Sequence, residues 1–148
     1  MEEAVRRLGD GQRLLDMCTG SGCILLSILS QKPSCKGTGV DLSADALEVA
    51  RLNGRRLKIT ADFQQSDLFA DIGGRYEMIV SNPPYIPTGV ISTLEEEVRS
   101  YDPNLALDGG EDGLSFYRRI VEQASTHLED GGWLLFEIGH DQEDVSAI

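Results

Sequence analysis

Apolar residues along the chain alternate between short strand-like runs and stripes at helical spacing, the pattern of a parallel sheet covered by helices on both faces. Arg13 to Cys18 predicts a first strand, and Gly22 to Lys32 a largely apolar helix stopped by Pro33. Thr38 to Leu42 predicts a second strand. Ser43 is placed to cap the next helix, with Leu47, Ala50 and Leu57 at three- and four-residue spacing around Gly54 and Asn53-Gly54 marking its end. Ala61 to Ser66 and Tyr76 to Ser81 read as further strands. Ile86 to Gly113 reads as mostly loop, with a short helix around Leu94 and Val98. Tyr117, Val121, Ala124 and Leu128 form a helical stripe, Gly131-Gly132 a turn, and Trp133 to Ile138 a buried strand. Asp141 to Ile148 begins like another helix with no strand after it. The expected fold is therefore one α/β domain over residues 1–148, a doubly wound, mainly parallel sheet lacking its final strands. Such sheets place ligands at the carboxyl ends of their strands, where the strand order reverses.

Asn82-Pro83-Pro84-Tyr85 follows the fourth predicted strand directly. Two prolines fix φ and withhold ladder donors, so the backbone leaves the sheet there as a stiff, extended segment that holds acceptors in place. Asn82 offers a side-chain carbonyl, the Asn82 and Pro83 peptide oxygens stay free, and Tyr85 adds a ring able to stack on a planar group. Such a set suits a planar nitrogen carrying two N–H bonds.

The first strand turns through Cys18-Thr19-Gly20-Ser21-Gly22 into a helix, and the glycines allow close backbone approach to a ligand. Leu25 stands where a dinucleotide fingerprint has its third glycine, and Asp16 lies four positions before Gly20. A carboxylate there disfavours a pyrophosphate and favours a cationic ligand such as a sulfonium amino acid. Asp41, closing the second strand, is placed to accept from both hydroxyls of a ribose. Asp67, closing the third, is placed to accept from an exocyclic amine of adenine while Leu68 packs on the ring. Three acids on successive strand ends, joined to a glycine turn, point to one site.

Composition narrows the partners. With 13 Lys+Arg against 25 Asp+Glu, the formal charge of −12 is opposite to what a phosphate backbone attracts, so direct nucleic-acid binding is not expected. The runs Glu95-Glu96-Glu97 and Glu111-Asp112 permit a basic protein partner. Cys18, Cys23 and Cys35 have neither disulfide nor zinc spacing, no metal is called for, and a reducing cytoplasm fits. Glu2 and Glu3 after Met1 are unlike a secretory leader, and no apolar run is long enough for a membrane span. His127 and His140 read as surface residues.

Together these residues resemble a class I S-adenosylmethionine-dependent methyltransferase, and Asn82-Pro83-Pro84-Tyr85 resembles the motif of enzymes that methylate planar amide or amino nitrogens. Adenine N6-methyltransferases share that motif. The stretches Glu97 to Pro103 and Ala106 to Leu114 are similar to the segment after the catalytic loop in the HemK/PrmC family, which methylates the glutamine side-chain amide in the Gly-Gly-Gln motif of peptide chain release factors. The resemblance implies donor contacts from Cys18 to Gly22, Asp41, Leu42, Leu68 and Asn82, and a substrate amide held by Asn82 to Tyr85. It also implies an N-terminal helical domain and a closing antiparallel strand pair, neither found in this sequence, and hence a sheet edge open to self-association. A nucleic-acid adenine methyltransferase conflicts with the charge, and a nicotinamide dehydrogenase leaves Asp16 and the Asn82 loop unexplained. A donor-binding core without turnover stays open.

Overall fold

The computed structural model describes residues 1–86, 88–91 and 110–138. Among them, β1 (Arg13–Met17), β2 (Lys36–Asp41), β3 (Asp62–Gln65), β4 (Tyr76–Ser81) and β5 (Leu128–Phe136) form one parallel sheet in the order β3-β2-β1-β4-β5. The helices are α1 (Glu2–Arg7), α2 (Cys23–Gln31), α3 (Ala44–Leu57), α4 (Thr88–Ile91) and α5 (Ser115–His127).

Side chains alternate across a strand, and β1 uses both faces. Leu14 joins Leu25, Ile28 and Leu29 of α2 in one apolar cluster, while Leu15 and Met17 join Ile120 and Ala124 of α5 in the other. Burying each leucine contributes about 1.5 to 3 kcal/mol, so the two clusters lock β1 between the helical layers. The chain winds outward from β1 to β2 and β3, then returns to lay β4 on the opposite side of β1. In doubly wound sheets such a reversal marks the place for a ligand crevice, here at the carboxyl ends of β1 and β4, where Met17 pairs with Ser81.

Several element boundaries depart from the hydrophobic pattern. β2 starts at Lys36, before Thr38, because the parallel register pairs Lys36 with Arg13. Ser43 caps α3 as expected, its Oγ accepting from the Ala46 N–H at 3.2 Å, but the helix passes through Asn53-Gly54 and ends at Leu57. Gly54 serves close packing there: a Cβ on it would lie 3.3 Å from the Ile59 carbonyl oxygen and 3.6 Å from Leu26. Leu128 opens β5 rather than closing the helical stripe, and Gly131-Gly132 lies inside that strand. β5 advances from Leu128 to Trp133 while β4 advances only from Tyr76 to Met78, so the glycines form an irregularity in the ladder, not a turn between elements.

The expected burial of Trp133 to Ile138 is only partial. β5 is the sheet's edge among the described residues, Trp133 is 42% exposed, and the Arg7 guanidinium stacks 3.7 Å from its ring centroid. α4 interrupts what the sequence suggests as loop. The helices expected around Leu94 and Val98 and over Asp141 to Ile148 lie outside the described residues.

Gly37 in β2 faces α2 so closely that a Cβ would lie 2.6 Å from Leu25 Cδ1 and 2.7 Å from Leu29 Cδ1. Gly37→Ala is expected to lower unfolding free energy by about 1 to 3 kcal/mol in chemical denaturation. Gly73→Ala, with nothing within 4 Å of its Cβ position, should stay within roughly 0.5 kcal/mol. Equal stability of the two variants would refute this account of the β2–α2 contact.

Candidate active site

The turn after β1 is the most contorted segment of the described chain. Cys18 at φ 59, Gly20 at φ 54 and Gly22 at φ 77 all occupy the left-handed region. For Cys18 this conformation is costly, and such strain gathers at functional sites. A Cβ on Gly20 would meet nothing within 4 Å, so that glycine faces open space above the strand ends. Gly22 serves packing instead, since a Cβ there would lie 3.2 Å from Ala50 Cβ. The turn closes on itself through Gly22 N–H to the Thr19 carbonyl at 2.9 Å and is held from outside by Thr19 N–H to the Val40 carbonyl at 2.9 Å, Gly20 N–H to Asp41 Oδ2 at 2.8 Å, and Asn53 Nδ2 to the Ser21 carbonyl at 3.0 Å.

Asp16 is 1% exposed on the same strand face as Leu14. Its Oδ2 accepts from the Thr19 hydroxyl at 2.6 Å, while its Oδ1 is buried with no hydrogen-bond partner among the described residues. Burial pushes its carboxyl up to about 7, partly offset by the Thr19 hydroxyl and the Leu25 backbone N–H and reinforced by the charge on Asp41. Asp41 is an internal brace as well as a strand-end acid, because its Oδ1 also accepts from Ser43 N–H at 2.9 Å. A carboxylate accepts about four hydrogen bonds, so both oxygens keep capacity for a ligand hydroxyl. Leu42 beside it is 48% exposed, an uncovered apolar side chain at a strand end.

On the far side of the crevice, Asp67 Oδ1 accepts from Arg119 Nη2 of α5 at 2.8 Å, and the pair is about half exposed. Leu68 is buried in the left-handed conformation at φ 50. At the end of β4, the Ser81 hydroxyl donates to the Met17 carbonyl at 2.7 Å and ties β4 to β1. The next residue, Asn82, carries a buried Oδ1 without a partner among the described residues. Pro83 and Pro84 are buried, and Tyr85 is 37% exposed. Burial, reinforced by Asp41, pushes the Cys18 thiol up to about 12, which leaves it protonated and unsuited to nucleophilic work.

The fold thus sets the residues singled out from the sequence, Asp16, Cys18 to Gly22, Asp41, Leu42, Asp67, Leu68 and Asn82 to Tyr85, at or just past the carboxyl ends of β1, β2, β3 and β4. Their supports Asn53, Ser81 and Arg119 are invisible to motif reading. Reading Asn53-Gly54 as a helix end conceals the side chain of α3 that reaches back to the glycine turn. His127, expected at the surface, is partly buried and stacks on Phe69 with ring centroids 4.6 Å apart. His140 lies outside the described residues. Among the described residues no group of His, Cys, Asp and Glu could hold a metal ion, and no helix is long and apolar enough to cross a membrane.

Comparison with known proteins agrees with this geometry. The chain is 48% identical over its whole length to a release factor glutamine methyltransferase of Agrobacterium fabrum, covering 52% of that protein. It is 43% identical over 98% of its length to one of Geobacter sulfurreducens, covering 51% of it. The chain therefore spans about half the length of the curated relatives it matches. In fold it is similar to a methyltransferase from Pyrococcus furiosus, with a TM-score of 0.71 at 22% identity, covering 97% of this chain and 63% of that one. The Methyltransferase small domain family matches residues 3–97, and with the turn after β1 and the strand-end acids inside that span, the chain belongs to this family.

Proposed function

We propose that this chain is the donor-binding and catalytic core of an enzyme that transfers a methyl group from S-adenosylmethionine to the side-chain amide nitrogen of a glutamine in peptide chain release factors. The carrying observation is that Asp16 Oδ1 and Asn82 Oδ1, at the ends of neighbouring strands on either side of the order reversal, are both buried and lack donors among the described residues. Unpaired buried acceptors are rare and costly, and a pair at the switch point calls for a ligand that brings N–H groups to both. The names of the relatives supply the substrate class.

The donor, when bound, supplies a methyl group activated by a sulfonium. Asp16 would take its ammonium group, and the Gly20 turn would allow its close approach. Asp41 would accept from the ribose hydroxyls, Asp67 from the exocyclic amine, and Leu42 and Leu68 would flank the base. An amide nitrogen is a poor nucleophile because its lone pair is delocalised. Asn82 Oδ1 and the Pro83 carbonyl, each accepting one of its N–H bonds, would orient it and favour attack, with Pro84 stiffening the segment and Tyr85 stacking on the amide plane. No side chain is required as a base, since an N-alkylated amide readily gives its proton to water. The protein partner would be a release factor, in the cytoplasm, with no direct nucleic-acid contact.

Two outcomes test these assignments. An unfolded aspartate titrates near 3.9 and folded Asp16 near 7, so the folded state holds a proton that the unfolded state has lost in that window. Stability of the donor-free protein should fall as pH rises from about 4 to 7, and the penalty should persist above that range. Asp16→Asn removes the titration and is expected to be more stable than the parent above pH 7 by roughly 1 to 3 kcal/mol, while losing donor affinity. Parallel stability profiles for parent and variant would count against a buried, unpaired carboxylate.

Asn82→Ala, at saturating donor, should cut methylation of release-factor glutamine by about 100- to 1000-fold, as for one lost preorganised polar group at a reacting centre. Folding should barely change. Peptide mapping that finds the normal rate in the variant would sink the assignment of Asn82.

A further inference from the structure

Tyr117 lies in the first turn of α5, three residues past the Ala106 to Leu114 stretch, and it is the largest fully buried side chain among the described residues, at 0% exposure. Its ring meets Phe136 edge-on with centroids 5.1 Å apart, a role phenylalanine would fill equally well. A buried hydroxyl needs its own reason. It donates to the Glu137 carbonyl at 3.0 Å, just past the end of β5. The N–H of Glu137 in turn donates to the Ser81 carbonyl at 2.9 Å, the carbonyl that immediately precedes Asn82. The Ser81 hydroxyl is itself fixed on Met17. Beyond the sheet ladder, the β4 terminus is therefore tied to β1 through the Ser81 hydroxyl and to the end of β5 through Glu137, whose peptide is held by the Tyr117 hydroxyl.

We propose that Tyr117 is a positioning residue for methyl transfer, its hydroxyl fixing the Glu137 peptide and through it the backbone that aims Asn82 Oδ1. This rests on the function proposed above. Burial, with Tyr85 and Glu137 adding to it, pushes the phenol up to about 12, so the hydroxyl remains a donor throughout the physiological range. Tyr85, whose ring would stack on the amide, is thereby also marked as a near neighbour. The Glu137 bond lies on the β5 side of Ser81, away from Gly20, Asp41 and Leu68, so the contacts that would hold the ribose and base of the donor do not depend on it, and most of the donor affinity should survive its loss.

Tyr117→Phe tests the hydroxyl alone, because the ring packing is retained. Three quantities are measured on parent and variant: affinity for S-adenosylhomocysteine by calorimetry, methyl transfer to a release factor at saturating S-adenosylmethionine, and hydrogen exchange of the Glu137 and Thr19 amides. The expected result is donor-product affinity within about twofold, methyl transfer lower by about 3- to 10-fold, and Glu137 exchange faster by a similar factor, the size of one neutral hydrogen bond. The Thr19 amide, bonded to the Val40 carbonyl, should keep its protection and so report an intact fold. Unchanged methyl transfer together with unchanged Glu137 exchange would overturn the proposal, as would equal loosening of Thr19 and Glu137, which marks a purely structural tyrosine. Should the parent itself fail to methylate the release factor, the proposed function falls, and Glu137 exchange still decides whether Tyr117 holds the β4 terminus.

Discussion

Leaving a buried oxygen without a donor costs a protein on the order of 1 to 3 kcal/mol, more when the group is charged. Among the described residues, one oxygen of Asp16 and the side-chain oxygen of Asn82 are left in that state. Neither cost arises from poor packing. Leu14, Leu15 and Met17 around Asp16 are fully buried, and Met78 and Ile79 of the neighbouring strand are equally closed off. The sheet is sealed below and polar above. That boundary is drawn by the parallel register, which brings the ends of β1 and β4 level at Met17 and Ser81.

Everything around the two oxygens holds them in place. Thr19 fixes one oxygen of Asp16 and leaves the other, Asp41 draws the glycine turn and the start of α3 together, and Asn53 reaches across from α3 to the Ser21 carbonyl. At the β4 end, Ser81 and Glu137 clamp the backbone before Asn82 from both sides. The supports are neutral or backbone-directed and mostly shielded, whereas the Arg119–Asp67 ion pair at the rim is exposed and contributes little to stability. Rigidity is concentrated where a poorly nucleophilic amide would have to be aimed, because positioning is then most of the catalysis.

Much of this was legible in the chain. Strand identities and the strand-end acids follow from apolar periodicity and from acids placed after apolar runs, and Tyr76 to Ser81 falls on its observed boundaries. Glycine misled twice. Gly54 and Gly131-Gly132 read as breaks because glycine punctuates turns, but one lets α3 approach its neighbours and the others sit inside β5. The supports were not legible at all. Asn53, Ser81, Tyr117 and Arg119 gain their roles from partners 20 to 64 residues away, and no local pattern encodes such a pairing. The exposure of Trp133 was hidden for the same reason, since an apolar run does not reveal which strand lies at an edge.

The central claim is that the ends of β1 and β4 form one site in which two waiting acceptors serve donor and substrate side by side. Amide and side-chain NMR of the labelled chain titrated with S-adenosylhomocysteine tests it without requiring turnover or a protein substrate. The account predicts saturable shifts confined to the strand ends, at the amides of Gly20, Ser21, Ser43 and Leu68 and the side-chain amide of Asn82, with the amino ends of the strands unmoved. Saturable binding that shifts the outer face of α3 or the amino ends of the strands, and leaves Gly20 and Asn82 where they were, would contradict it.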